Sequence, residues 1–192
     1  VVHFGGSPAD LKKIFQLSNK FNFKIIEDAS HALGAVFQGE PIGSNKYSDA
    51  VVFSFHPVKM ITTGEGGALL VSSNEIKKKA EALRSHGIDI SKTENKDYPD
   101  WYYEQHYLGY NFRLSEIQAA LGISQLKQLK KFVKARNNLA KYYLKHLKDL
   151  PLVFQEILPN CNSSYHLFTI EITDARFSRQ ALFDYLKSHG IG

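Results

Sequence analysis

A continuous apolar run constrains the fold of this chain more than any other segment. It occupies residues 49–55, reads DAVVFSF, and does not alternate between apolar and polar residues. Such a run is typical of a strand in a sheet that is covered on both faces. Two further strand-like segments, residues 23–30 (FKIIEDAS) and 66–73 (GGALLVSS), lie on either side of it in the sequence. With the helical segments around them they predict an α/β fold with a central, mostly parallel sheet and flanking helices.

Two helices are indicated next to these strands. Residues 5–21 (GGSPADLKKIFQLSNKF) predict a helix that Ser7 caps, with Pro8 at its first helical position. Residues 74–87 (NEIKKKAEALRSHG) predict a second helix, with Asn74 as its N-cap and Gly87 as its stop. Parallel strands joined through helices carry their ligands at the carboxyl ends of the strands, so residues at those ends are the candidates for a site.

The second half of the chain predicts a long helix and then a smaller domain. Ser115 and Gln118 have the spacing of a capping box, and apolar residues continue at helical spacing as far as Leu147, as one long helix or two consecutive ones. We place a boundary near Pro151. Residues 1–147 then form part of a large domain, and residues 151–192, with a strand and a capped helix, begin a small α+β domain.

Composition excludes some classes of protein and leaves others open. The chain has 192 residues and a formal net charge of +5, but its lysine clusters lie on predicted amphipathic helices. We interpret them as solvated helix faces that give a modest positive field for an anionic small substrate, and we expect no nucleic-acid partner. No apolar run is long enough for a bilayer, and Cys161 is the single cysteine. We therefore expect a cytoplasmic protein without a membrane partner.

The segment after the apolar run presents an unusual set of side chains. Residues 54–67 read SFHPVKMITTGEGG and place Ser54, His56 and Lys59 within six positions. A lysine so close to a buried strand is either unfavourable or used in chemistry. Taken alone, each of these residues is more simply interpreted as a turn hydroxyl, a satisfied histidine or a surface ammonium.

Two catalytic interpretations are weakly supported. A hydrolase triad could use Ser54, His31 or His56, and Asp28, but the glycine-flanked elbow of a nucleophilic serine is absent from the sequence. A metal site could use the two histidines with Asp28 and Glu65, yet their spacing matches no helical ligand pair and no cysteines accompany them. We therefore predict no metal.

A third interpretation uses these residues to hold pyridoxal phosphate (PLP). This cofactor requires a lysine for its aldehyde and a carboxylate for its protonated ring nitrogen. Lys59 could supply the amine, and Asp28 lies at a predicted strand end, where the carboxylate is needed. Ser54 could bind the phosphate.

Four segments together resemble one known family. The sequence is similar, over nearly its whole length, to the DegT/DnrJ/EryC1/StrS family of PLP-dependent sugar aminotransferases, which have the fold of aspartate aminotransferase (PLP fold type I). The segments that carry the resemblance are IIEDASHALGA, VVFSFHPVKMITTGEGGALLVS, LRSHGI and GYNFRLSEIQAALGISQL.

The resemblance implies roles for five residues. Asp28 is expected to pair with the pyridine nitrogen, and His31 to contact the ring hydroxyl or to stack near it. Ser54 is expected to bind the phosphate, and Lys59 to be the catalytic lysine that binds the aldehyde. Asn111 is expected to reach the cofactor phosphate of a second subunit, which implies a homodimer with shared active sites.

The resemblance also implies an activity. Family members transfer an amino group to nucleotide-linked keto-sugars for polysaccharide biosynthesis, and the expected amino donor is glutamate. The segments are most similar to those of enzymes that aminate C4 of UDP-4-keto-6-deoxy hexoses in pathways of the pseudaminic-acid type. Two alternatives stay open, a sugar dehydratase of the same fold and a catalytically silent module. Family members carry earlier and later segments as well, so we expect this chain to be a central fragment.

Overall fold

The computed structural model describes residues 1–89, 99 and 101–191. Residues 88–107 are polar and aromatic without a clear period, which predicts a functional, partner-binding or mobile loop. Most of residues 90–100 in this stretch lie outside the described residues. In chain order the elements are a short 3-10 turn (Phe4–Gly6), α1 (Leu11–Phe21), β1 (Ile26–Asp28), β2 (Val36–Phe37), β3 (Glu40–Pro41), β4 (Ala50–Ser54), β5 (Gly67–Val71), α2 (Asn74–Arg84), α3 (Glu116–Leu147), β6 (Leu152–Phe154), β7 (Cys161–Asn162), β8 (Ile170–Ile172) and α4 (Arg179–Ser188).

The principal sheet confirms the α/β class but is mixed in direction. Strand β1 pairs in parallel with β4, with Glu27 opposite Val51, and β4 pairs antiparallel with β5. The expectation of a mostly parallel sheet is therefore only partly met. The physical reason is that residues 55–66, which join β4 to β5, contain no helix. A parallel return requires a long crossover that usually carries one, whereas a short loop brings the next strand back antiparallel.

The first two helices begin at residues other than the predicted caps. Helix α1 is capped by Asp10, whose carboxylate accepts a hydrogen bond from the backbone of the first helical turn, and not by Ser7. The reason is that the preceding residues form the 3-10 turn, so Pro8 lies before the helix. Helix α2 is capped by Ser73, and Asn74 is its first helical residue.

The capping box before α3 is confirmed. The side chain of Ser115 accepts a hydrogen bond from the backbone of Gln118, whose own side chain accepts one from the backbone of Ser115. The helix then continues without a break for 32 residues, which decides between one helix and two. Among the described residues, no helix is both long and apolar enough to cross a membrane.

The segment after α3 returns to the first part of the chain. Strands β6 and β8 pair antiparallel with each other, and Ser178 caps α4. Strand β7 instead pairs antiparallel with β2, with Cys161 opposite Phe37. The proposed division into residues 1–147 and 151–192 stays a prediction, and residues 161–166 contact the first of these two ranges.

The hydrophobic core lies beneath the principal sheet and beside α1. Strand β4 contributes Val51 and Phe53, which share one face, whereas Val52 on the other face is 37% exposed, so within this chain the strand is covered mainly on one face. The remaining buried members come from α1 and from the segment that runs from the end of β1 to just after β3: Leu11, Ala29, Ala32, Ala35, Phe37 and Ile42. Burial of this segment holds the carboxyl ends of β1 and β4 side by side, where the candidate site residues lie.

Candidate active site

Asp28 ends β1 with its carboxylate exposed at the edge of the sheet. Its Oδ1 accepts a hydrogen bond from the backbone N–H of Ser30 at 3.0 Å. Hydrogen bonds from the side chain and backbone of Ser30 lower the pKa of Asp28, and the positive charge of Lys59 lowers it further. The carboxylate is therefore ionised at neutral pH, which a partner for a protonated ring nitrogen must be.

His31 is held in one protonation form by its hydrogen bond. Its Nδ1 accepts the backbone N–H of Gly5 at 3.3 Å, so the proton of the neutral ring is on Nε2. Burial lowers the pKa of His31, and the charge of Lys59 acts in the same direction against the opposing effect of Asp28. The half-buried ring is thus a neutral hydrogen-bond donor and not a cation.

Lys59 is half-buried in the loop that follows β4. We call residues 55–66 the Lys59 loop. The backbone N–H of Lys59 donates to the carbonyl of His56 at 2.9 Å, and the loop closes where the N–H of Phe55 donates to the carbonyl of Gly66 at 2.8 Å. The charge of Lys59 influences the pKa of both Asp28 and His31, so the three groups share one site.

Ser54 lies at the carboxyl end of β4 and is half-buried. Its Oγ accepts the backbone N–H of His56 at 3.4 Å, and no imidazole of the described residues hydrogen-bonds to it. The hydrolase interpretation requires such an imidazole and gains no support. Nor do the described residues contain a group of three or more histidine, cysteine or acidic side chains that could hold a metal ion.

Asn111 is exposed and lies next to the end of α2. It forms an isolated antiparallel bridge with Ser85, and the next amide, of Phe112, donates to the carbonyl of Arg84 at 2.9 Å. Its neighbour Tyr110 stacks on Phe112 with ring centroids 4.7 Å apart. The hydrogen bonds of the described residues thus place Asn111 on an exposed segment beside α2.

His166 is a site residue that the sequence did not indicate. Its ring centroid lies 4.5 Å from that of His31, and the side chain of Ser164 donates to the carbonyl of His31 at 2.8 Å. Burial lowers the pKa of His166 to about 4, with further contributions from the charges of Lys59 and Arg136. Its sequence neighbours, YHLF, resemble an ordinary strand, and no local signal distinguishes this histidine from a core residue.

Arg136 of α3 fixes the backbone next to this ring. Its guanidinium donates to the carbonyls of Tyr165 and His166 at 3.2 and 3.1 Å. The Nδ1 of His166 is buried and has no hydrogen-bond partner among the described residues. An unpaired buried nitrogen is costly, and such atoms are commonly explained by a ligand or an ordered water.

These side chains fit the chemical groups of PLP. The site offers an ionised carboxylate, a neutral imidazole that donates from Nε2, a lysine amine and a serine hydroxyl at the carboxyl ends of adjacent strands. These groups match the ring nitrogen, the ring hydroxyl, the aldehyde and the phosphate of the cofactor. The unpaired nitrogen of His166 adds a polar atom at the same place.

Comparison with known proteins agrees with this arrangement. The chain is 39% identical over 194 residues to a Campylobacter jejuni protein named UDP-4-amino-4,6-dideoxy-N-acetyl-beta-L-altrosamine transaminase, covering 100% of this chain and 49% of that protein. Among solved structures it is similar to Helicobacter pylori PseC, an aminotransferase involved in the biosynthesis of pseudoaminic acid, with 33% identity and a TM-score of 0.87 over 98% of this chain and 49% of the other.

A second solved structure is also similar. The PLP form of Spr1654 from Streptococcus pneumoniae is 26% identical, with a TM-score of 0.84 over 98% of this chain and 51% of the other. These likenesses confirm the expected fold, that of PLP fold type I aminotransferases. The chain spans about half the length of the relatives it matches. The DegT/DnrJ/EryC1/StrS aminotransferase family matches residues 1–192, and the chain belongs to that family.

Proposed function

We propose that the complete protein is a PLP-dependent aminotransferase that transfers an amino group from glutamate to a nucleotide-linked keto-sugar. The observation that carries this proposal is the placement of Asp28 and Ser54 at the adjacent carboxyl ends of β1 and β4, with His31 and Lys59 in the segments that follow these strands. Hydrogen bonds from Ser30 and burial are the main causes of the lowered pKa values of Asp28 and His31, respectively, and the charge of Lys59 contributes to both.

The cofactor, when bound, supplies an aldehyde that accepts amines and a ring that withdraws electrons. Asp28 keeps the proton on the ring nitrogen through its ionised carboxylate. His31 donates its Nε2–H to the ring hydroxyl oxygen, and Ser54 binds the phosphate. Lys59 would hold the aldehyde and, as a free amine, would take the proton from the α-carbon of the amino donor.

The names of the relatives support a substrate class. We propose C4 of a UDP-linked 4-keto-6-deoxy hexose as the position that receives the amine, because the Campylobacter relative is named a transaminase of a UDP-linked 4-amino-4,6-dideoxy sugar. The Helicobacter relative, involved in pseudoaminic acid biosynthesis, points to surface polysaccharide. The dehydratase alternative is not favoured, since the dehydratases of this family have histidine where this chain has Lys59.

We further propose that the protein is a cytoplasmic homodimer with shared sites. The exposed position of Asn111 beside the end of α2 leaves it accessible to a second subunit, which supports a role in the site of that subunit.

Covalent trapping tests the assignment. The complete protein is loaded with PLP, reduced with borohydride and digested, and the peptides are mapped by mass spectrometry. We expect the cofactor on the peptide that contains Lys59, and none in Lys59→Arg, whose guanidinium stays protonated and cannot bind the aldehyde. Glutamate and a UDP-linked 4-keto-6-deoxy hexose should then give 2-oxoglutarate and the amino sugar. A cofactor adduct on a different lysine would contradict the proposal.

A further inference from the structure

One face at the start of α3 rests on the end of the Lys59 loop. Leu114, Gln118 and Gly122 are spaced by four residues, which places them on the same side of the chain as it enters and follows the helix. All three lie against residues 63–66, the turn that ends the loop. The helix and the loop therefore meet along a short, continuous contact.

Gln118 makes the hydrogen bond in this contact. Its Nε2 donates to the carbonyl of Glu65 at 3.0 Å. Its Oε1 accepts from the backbone N–H of Ser115 at 3.0 Å and from the hydroxyl of Ser115 at 3.1 Å. One amide thus caps the helix with its oxygen and holds the loop with its nitrogen.

Two close approaches flank this hydrogen bond. A Cβ on Gly122 would lie 2.8 Å from Cγ2 of Thr63, and a Cβ on Gly66 would lie 3.1 Å from Cδ1 of Leu114. Gly122 and Thr63 are both buried. The helix and the turn are therefore in direct van der Waals contact on either side of Gln118, with no room for another methyl group at Gly122.

The turn of residues 63–66 also closes the Lys59 loop. The backbone N–H of Thr63 donates to the carbonyl of Phe55 at 3.0 Å, and the hydroxyl of Thr62 donates to the same carbonyl at 3.1 Å. The hydroxyl of Thr63 donates to the carbonyl of Glu65 at 2.7 Å. A displacement of this turn is therefore transmitted to the whole loop, including the position of Lys59.

We propose that Gln118 is a positioning residue for Lys59, holding the Lys59 loop in register with the first turn of α3. The proposal rests on the proposed function, in which Lys59 binds the cofactor. Asn111 lies a few residues before the same helical turn. Gln118 therefore also links the Lys59 loop of one site to the Asn111 segment, which we assign to the site of the neighbouring subunit.

A pair of substitutions separates the two roles of the amide. Gln118→Glu keeps the oxygen that accepts from Ser115 and retains a capping box, but it cannot donate to Glu65 and places a carboxylate against that carbonyl. Ser115→Ala weakens the cap and leaves the donor to Glu65 in place. Gln118→Glu should disturb the Lys59 loop and leave the helix intact. Ser115→Ala should weaken the start of the helix and leave the loop in place.

Amide hydrogen exchange on the complete, cofactor-free protein gives a readout that does not depend on catalysis. We expect the amides of Thr63 and Gly64 to exchange about five- to tenfold faster in Gln118→Glu, as expected for the loss of one hydrogen bond, and to be unchanged in Ser115→Ala. In the loaded enzyme, kcat should fall by about the same factor in Gln118→Glu, with little change in the KM for the amino donor.

A steric rescue tests the same contact independently. Gly122→Ala should displace Thr63 and speed exchange in the loop, because the added methyl group has no space. Adding Thr63→Ser removes Cγ2 but keeps the hydroxyl that donates to Glu65, so the double variant should recover slow exchange. Recovery would show that the contact between α3 and the turn, and not helix stability, controls the loop.

Unchanged exchange at Thr63 and Gly64 in Gln118→Glu would overturn the proposal. So would faster exchange with kcat unaltered, since the loop would then move without consequence for Lys59. These outcomes differ from failure of the proposed function, which would appear as a borohydride adduct on another lysine in the wild-type protein.

Discussion

Nε2 of His3 lies 2.8 Å from Oε2 of Glu27, and both side chains are almost completely buried, with exposures of 0% and 2%. Nδ1 of His3 accepts the backbone N–H of Ala9 at 3.1 Å, so Nε2 carries the proton and donates to the carboxylate. The hydroxyl of Ser48 donates to the other oxygen of Glu27. Because successive side chains of a strand point to opposite faces, this network lies on the side of β1 away from Asp28.

Removing His3 should therefore destabilise the fold. His3→Leu leaves the buried carboxylate of Glu27 with one partner fewer and the amide of Ala9 with none, and we expect a loss of about 3–5 kcal/mol in the free energy of unfolding. Adding Glu27→Leu to His3→Leu should recover part of this loss, since the unpaired charge is then absent. Urea unfolding of the complete protein measures both, and a double variant no more stable than His3→Leu would show that the unpaired charge of Glu27 is not the source of the loss.

Asp28→Asn should remove catalysis and leave the fold intact. The amide oxygen can still accept the N–H of Ser30, but it carries no charge to keep a proton on the ring nitrogen, so we expect kcat to fall by about 100-fold or more. Asp49→Asn is the matched control. Asp49 is a second carboxylate whose pKa is lowered, first by a hydrogen bond from the backbone of Ile25 and then by Lys24. Asp49→Asn should therefore lower the stability and leave kcat unchanged. Normal turnover in Asp28→Asn would show that Asp28 only stabilises the turn after β1.

His166 should make the protein less stable in mild acid. An unfolded histidine has a pKa of about 6.5, whereas burial, followed by the charges of Lys59 and Arg136, lowers the pKa of His166 to about 4 in the folded protein. Between these values only the unfolded state binds the proton, so the free energy of unfolding decreases as the pH falls from about 6.5 to 4. At about 1.4 kcal/mol per pKa unit, we expect a contribution of roughly 3–4 kcal/mol.

The pH dependence of a variant isolates this contribution. The free energy of unfolding is measured against pH for the wild type and for His166→Phe. The difference between the two should change between about pH 6.5 and 4 and be constant at higher pH. His189→Phe is the control, because His189 is exposed and also contacts an aromatic ring, that of Tyr185 at 4.3 Å. A His166→Phe profile parallel to the wild type would show that His166 takes up its proton in the folded protein as easily as in the unfolded one.

A mixing experiment tests whether active sites are shared. Complete subunits with Lys59→Ala and with Asn111→Ala should each be weak or inactive alone. If Asn111 serves the neighbouring site, a heterodimer contains one site with both lesions and one with neither, so activity should reappear after subunit exchange. Confirmed heterodimers without recovered activity would place Lys59 and Asn111 in the same site.

The parts of the site that could be predicted are those with local signals. Asp28 and Ser54 are the last residues of strands β1 and β4, and the change from apolar to polar residues in the sequence marks where each strand ends. Lys59 stands out because a lysine beside a buried strand is unusual. The capping box of Ser115 and Gln118 is likewise a pattern of neighbours, and the structure has it as predicted.

The features that could not be predicted depend on distant segments. His166 reaches His31 because β7 pairs with β2, a contact with no signal in either two-residue strand. Helix α1 is capped by Asp10 and not by the predicted Ser7, because His3 accepts a hydrogen bond from the amide of Ala9 and holds the residues before the helix in the buried network. In both cases tertiary contacts, and not local propensity, decided the outcome.

The pairing of β7 with β2 also sets an order of events during synthesis. About 120 residues separate the two strands, which a ribosome adding about 5–20 residues per second needs roughly 6–25 s to make. During that interval the nascent chain already contains Asp28 and Lys59, while Phe37 lacks its partner Cys161 and His31 lacks the ring of His166. A ribosome-bound chain thus exposes Lys59 before the ring of His166 lies beside His31, so the proposed site can be complete only after residue 166 has been made.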